Sequence, residues 1–131
     1  MLDFGCGSGI LAVAALKLGA GQVTGTDHDP QALQASQDNA AKNGVAEGLT
    51  LFQSSDLPQK PVDILLANIL AGTLIELEPL LATLTRAGGQ IVLSGILQEQ
   101  AQEVIDAFSA NFILTPPRLK QEWVLLEGRR R

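Results

Sequence analysis

The run Leu2-Asp3-Phe4-Gly5-Cys6-Gly7-Ser8-Gly9-Ile10 passes from a short apolar strand through glycines at alternate positions into an Ala/Leu-rich stretch. No other feature constrains the fold as much. A strand that turns through glycines into a helix opens a βαβ unit, and the glycines let backbone meet a ligand at the mouth of a parallel sheet. The run is read as a nucleotide-cofactor loop. Only two or three strand residues precede it, so the chain is expected to be the later part of a longer protein.

The rest of the chain repeats the unit. Helical residues 9–18 stop at Gly19, and a strand over 22–26 ends at Asp27. Asp29-Pro30 then offers an N-cap with proline at the first helical position, for a helix that reaches Asn43 and stops at Gly44. Residues 49–53 and 62–67 read as strands three and four, the fourth continuously apolar as a buried strand should be, with Asn68 at its end. Leu74, Leu77, Leu80, Leu81 and Leu84 have helical spacing, and a break is expected before Pro79, which removes a helical donor. Gly88-Gly89 punctuates the entry to a strand over 90–94. Leu97, Ala101, Val104, Ile105 and Phe108 form one apolar helical stripe. Runs 112–115 and 123–126 flank a segment holding Pro116 and Pro117, too short for a crossover helix, so they should form an antiparallel hairpin at the sheet edge. Strands alternating with helices give an α/β fold: a Rossmann-like, mostly parallel sheet with helices on both faces.

The 131 residues are 46% hydrophobic, enough for one globular domain with a real core. No apolar run approaches the roughly 20 residues of a membrane span, and the amino terminus has no basic-then-apolar leader, so a soluble, cytoplasmic protein without membrane partners is expected. A net charge of -5 repels nucleic acid unless basic residues cluster, and the one cluster, Arg129 to Arg131, reads as a solubilising tail. The single cysteine excludes an internal disulfide.

Which cofactor the loop holds turns on its charges. Gly7-Ser8-Gly9-Ile10-Leu11-Ala12 satisfies G-x-G-x-x-A, with an acid at the next strand's end, so a dinucleotide fits the pattern. Against it stands Asp3, whose carboxylate would repel a pyrophosphate resting beside strand one. S-adenosylmethionine, with an ammonium, a sulfonium and no phosphate, suits an acidic strand end. Asp27 is placed to accept hydrogen bonds from both ribose hydroxyls; the other reading is a cap on the turn before Pro30, for which Asp29 is better placed. Asn68 either orients an amine lone pair or caps the next helix. Asp56 lies near an adenine amino group or is an exposed loop acid. Cys6 reads as a small side chain in a tight loop rather than a nucleophile. His28 lies along the ribose or adenine edge or faces solvent, and one histidine with one cysteine makes no metal-ligand set. Trp123 packs on the last strand or faces the substrate mouth.

Asp3 through Gly9 resembles the first motif of class I S-adenosylmethionine-dependent methyltransferases, whose sheet has seven strands and ends in an antiparallel hairpin. The longer text narrows the resemblance. Asp3 to Leu11, Asp29-Pro30-Gln31-Ala32, Ala67-Asn68-Ile69-Leu70-Ala71-Gly72 and Leu93-Ser94-Gly95-Ile96-Leu97 are similar to the catalytic domain of the ribosomal large-subunit protein eleven methyltransferase family. The resemblance covers nearly the whole chain and implies methylation of lysine side chains and the N-terminal amine of that ribosomal protein. By the match, Gly5, Asp27 and Asn68 fall on the family's cofactor-contact positions; Cys6, Gly7 and His28 complete the expected cofactor set, Asn68 is also expected at the reacting amine, and no metal is expected. It also implies a separate N-terminal substrate-recognition domain and linker, which this sequence does not include. Three hypotheses stand: a protein-amine methyltransferase domain, a nicotinamide-dependent oxidoreductase, and a non-catalytic cofactor-binding module.

Overall fold

The computed structural model describes residues 1–131, which divide into two compact units, Met1–Pro58 and Gln59–Arg131. The first holds three parallel strands, β1 (Leu2–Phe4), β2 (Val23–Asp27) and β3 (Leu49–Gln53), in the order β3-β2-β1. Between them run α1 (Ile10–Lys17) and α2 (Pro30–Lys42). Asp29 caps α2 as its sequence position implies, its Oδ1 accepting from the Gln31 amide at 2.9 Å, and Pro30 follows at the first helical position. Left-handed Gly19 and Gly44 stand just past the two helices, where only glycine adopts that backbone without cost. Ala12, Val13, Val23, Ala40 and Leu49 form this unit's core.

The second unit contains β4 (Val62–Asn68), α3 (Ala71–Leu84), β5 (Thr85–Leu97), α4 (Ala101–Phe108), β6 (Phe112–Leu114), β7 (Arg118–Lys120) and β8 (Trp123–Arg130). Its strand order is β4-β5-β8-β6, with β7 also paired to β8. β4 and β5 are parallel, whereas β8 runs antiparallel to β5, β6 and β7. Leu74, Leu81 and Leu84 of α3, Ile91 and Leu93 of β5, Val104 and Phe108 of α4, and Phe112 and Leu126 are all fully buried. Phe108 and Phe112 stack tilted, with ring centroids 5.7 Å apart. Glu78 is buried as well, and Asn111 donates to its Oε1 at 2.7 Å, so the carboxylate has a partner.

The structure departs from the sequence expectations in five places. α3 runs unbroken through Pro79, because the buried side chains on both sides of it, Leu74, Glu78, Leu81, Ala82 and Leu84, offset the one helical hydrogen bond that proline removes. Leu97 ends β5 rather than joining the α4 stripe, since a 3₁₀ turn over Gln98–Gln100 separates them. The strand expected over 90–94 extends to Thr85–Leu97, and left-handed Gly88 lies inside it where the register with β4 shifts. The closing pair is antiparallel as expected, but β8 lies between β5 and β6 rather than at an edge, and the additional strand β7 forms on it. Finally, the terminal arginines are not a free tail: Arg130 belongs to β8 and donates to the Ala82 carbonyl at 2.9 Å, and Arg131 donates to Ser109 O at 3.1 Å.

Candidate cofactor and acceptor sites

The loop after β1 is held from two directions. Gly5 and Cys6 amides both donate to the Thr26 carbonyl, at 2.8 and 2.9 Å, so the chain folds back over the end of β2. From α2, the Ser36 hydroxyl donates to Gly7 O at 2.8 Å and the Asn39 amide donates to Ser8 O at 2.8 Å. Gly7 and Gly9 both have positive φ, 56° and 83°. They differ in surroundings: a Cβ on Gly9 would sit 2.9 Å from the Ser36 Cβ and Oγ, whereas one on Gly7 would meet nothing within 4 Å. The loop is therefore closed against α2 at Gly9 and open at Gly7.

Asp27, at the tip of β2, lies beside this loop. Its Oδ2 accepts from the Gly7 amide at 3.0 Å and its Oδ1 from the Asp29 amide at 3.0 Å. Each carboxylate oxygen thus holds one backbone donor and keeps a second acceptor direction. His28 Nδ1 lies 3.4 Å from Asp27 Oδ1, with its side chain 93% exposed. Asp3, at the other side of the loop, is buried, and its Oδ2 has no hydrogen-bond partner. Burial pushes its carboxyl up to about 6, opposed by a backbone hydrogen bond at Ala12 and reinforced by the nearby Asp27 charge. Burial also pushes the Cys6 thiol up, against the lowering effect of its contact with Ser36, so Cys6 stays a thiol and packs. Asp56 is an exposed acid closing a 3₁₀ turn.

Gly5, Cys6, Gly7, Asp27 and His28 are thus gathered in the first unit. Asn68 lies in the second, at the end of β4 opposite Ser94 of β5. It caps nothing: the N-cap of α3 is Leu70, with no side-chain cap bond. A Cβ added to Gly95 would lie 2.9 Å from Asn68 Oδ1, and the β5 to β8 register shifts between Leu93 and Ile96, so a bulge presents Ser94 and Gly95 beside Asn68. Next to them opens a largely apolar cavity of about 500 Å³, whose other walls come from the β7–β8 hairpin, chiefly Arg118, Lys120, Trp123 and Val124. Trp123, 48% exposed, faces this cavity rather than the core. Ser36, Asn39, Arg118 and Lys120 were not singled out from sequence. A polar pair at i and i+3 inside α2 was the available signal for the first two; β7 carries no periodic signal for the others.

No helix is long and apolar enough to cross a membrane, and no cluster of three or more metal-ligating residues occurs.

The glycine cradle between β1 and α1, the acidic β2 tip and the antiparallel β8 define a Rossmann-like class I methyltransferase fold. The model of the family described as ribosomal protein L11 methyltransferase (PrmA) matches residues 1–131, and the chain belongs to that family. It is 55% identical over 130 residues to the ribosomal protein L11 methyltransferase of Hahella chejuensis, covering 99% of this chain and 44% of that protein. With the Azotobacter vinelandii relative of the same name it shares 56% over 132 residues, all of this chain and 45% of that one. The chain therefore spans a little under half the length of these relatives. Among solved structures, a ribosomal protein L11 methylase from Lactobacillus delbrueckii subsp. bulgaricus superposes with a TM-score of 0.92 at 34% identity, covering 99% of this chain and 69% of that one. An RNA methyltransferase from Salinibacter ruber, in complex with S-adenosyl-L-homocysteine, shares the fold at 15% identity, with a TM-score of 0.78 over 98% of this chain and 78% of that one.

Proposed function

We propose that this chain is the S-adenosylmethionine-binding catalytic domain of a protein N-methyltransferase that modifies lysine side chains and the N-terminal amine of ribosomal protein L11. The observation that carries the cofactor assignment is the orphaned Asp3 Oδ2, a buried acceptor beside an open glycine cradle. A carboxyl held near 6 is mostly ionised at neutral pH, and an unpaired buried charge is costly, so the site suits a ligand that brings a cationic donor. Asp3 would meet the ammonium of the methionine part, and Gly5, Cys6 and Gly7 would pass along it with their backbone. Asp27 would accept from the ribose hydroxyls with its spare acceptor directions, and His28 would cover that edge. Asn68 would touch both the cofactor and the incoming amine, its side-chain oxygen aiming the nitrogen lone pair. S-adenosylmethionine supplies a methyl group on a sulfonium, a good leaving group. The chain's own task is then to hold and align, which places much of the rate in positioning and requires neither a nucleophile nor a metal. We assign delivery of the protein substrate to a further N-terminal domain, and the place of action to the cytoplasm.

Calorimetric titration with S-adenosylmethionine, S-adenosylhomocysteine, NAD and NADP tests the reading. The first two are expected to bind and the dinucleotides not; tighter binding of a dinucleotide would overturn the methyltransferase assignment in favour of an oxidoreductase. Transfer of labelled methyl groups to ribosomal protein L11, with and without an N-terminal domain supplied, tests the substrate and the division of labour.

A further inference from the structure

We propose that the cavity beside Asn68 selects the acceptor amine in its neutral form, with Lys120 as the residue that repels the ammonium; the proposal rests on the methyltransferase reading of this chain. The walls carry two basic side chains, Arg118 and Lys120, and no carboxylate. This is unusual placement in a chain of net charge -5. β4 and β5 contribute only the neutral Asn68, Ser94 and Gly95, and β8 contributes Trp123, Val124 and Leu125. Glu127 of β8 lies 3.5 Å from Arg118 Nε and offsets that charge. Lys120 has no acidic partner within salt-bridge distance.

A cation entering an apolar cavity loses water without gaining a counter-charge, and here it also meets a like charge. Both effects favour loss of the proton before the amine is seated. The chemistry needs this: an ammonium has no lone pair. Once neutral, the nitrogen lone pair forms the new bond to the methyl carbon while the carbon–sulfur bond breaks and its electron pair leaves with sulfur. The methylated nitrogen then gives a proton to solvent, unless it is already quaternary. A cationic product is expelled by the same Lys120 charge that selects the neutral substrate.

Trp123 makes a direct test available, because it is the only tryptophan and the chain has no tyrosine, so its fluorescence reports the cavity. Hexan-1-ol and hexyltrimethylammonium, matched neutral and permanently charged probes, are titrated at pH 7.5 while emission is followed. The alcohol should bind more tightly, and Lys120→Glu should shrink that preference about three- to tenfold, less at high salt because the residue is exposed. Equal or tighter binding of the cation by the unaltered chain overturns the proposal, since the indole face would then outweigh the repulsion. So does a preference that Lys120→Glu leaves unchanged. These readouts need no methyl transfer, so they fail independently of the proposed activity. Where transfer is seen, the pH at which kcat reaches half its plateau, which reports the amine in the bound complex, should rise in Lys120→Glu, and a kcat profile that does not move counts against Lys120.

Discussion

The Asp27 carboxylate, at the tip of β2, accepts the backbone amide of Gly7 at 3.0 Å, so the acid assigned to a ligand also shapes the loop that would hold it. The same side chain takes the Asp29 amide, which makes it a turn cap, and each of its oxygens keeps an acceptor direction for the proposed ribose contact. The two readings of Asp27 open in the sequence are therefore not exclusive.

Asp27→Ala should weaken S-adenosylhomocysteine binding by about 2–4 kcal/mol, since it frees two backbone donors and removes the acceptor for two hydroxyls. Asp29→Ala should leave affinity nearly intact and cost about 1 kcal/mol of stability through the lost helix cap. Calorimetry and urea unfolding on both variants decide it, and equal losses of affinity would sink the ribose assignment.

Asp3 makes the free chain's stability depend on pH in an unusual direction. Its carboxyl rises from 3.8 to about 6 on folding, so between those values the folded state binds more protons than the unfolded one. This contribution to stability is therefore greatest below pH 3.8, declines as pH rises through the window and is lost above it, a difference on the order of 3 kcal/mol. Asp3→Asn should remove that slope, stabilise the ligand-free chain at pH 7.5, and weaken cofactor binding. Urea midpoints at pH 4.5 and 7.5 are the measurement, and an unchanged slope would refute the role given to Asp3.

The two loop glycines should respond differently to alanine. Gly9→Ala adds a Cβ 2.9 Å from Ser36 in a left-handed backbone, and is expected to cost several kcal/mol and disturb the Ser36 bond to Gly7. Gly7→Ala meets no atom and should cost about 1–2 kcal/mol of backbone strain. Thermal melts that rank them the other way would mean the loop is not packed on α2 as described.

Pro79→Ala should stabilise the chain by about 1–2 kcal/mol. The restored amide regains a helical bond inside α3, less the unfolded-chain entropy that proline removes. No gain in the denaturant midpoint would show that the helix has already adapted to proline.

Much of this fold was legible because the signals are local. Alternate glycines after an apolar strand, Asp29-Pro30 before a helix and glycines just beyond two helix ends each act through a few neighbouring residues, and the elements they mark, β1, α1 and α2, formed within a residue or so of their expected places. Where local rules conflicted with burial, burial won: α3 keeps Pro79 because its buried side chains outweigh one absent hydrogen bond. The sequence alone also singled out the glycine-loop residues, Asp27 and Asn68 as candidates. Beyond a polar pair at i and i+3 in α2, it contained no sign that Ser36 and Asn39 would hold the loop, and none that Arg130 and Arg131 would tie down helix and turn carbonyls or that Trp123 would share a cavity with Asn68. Those contacts join residues about 20 to 55 positions apart, and their partners become neighbours only after strands pair and helices cross, so tertiary structure alone decided them.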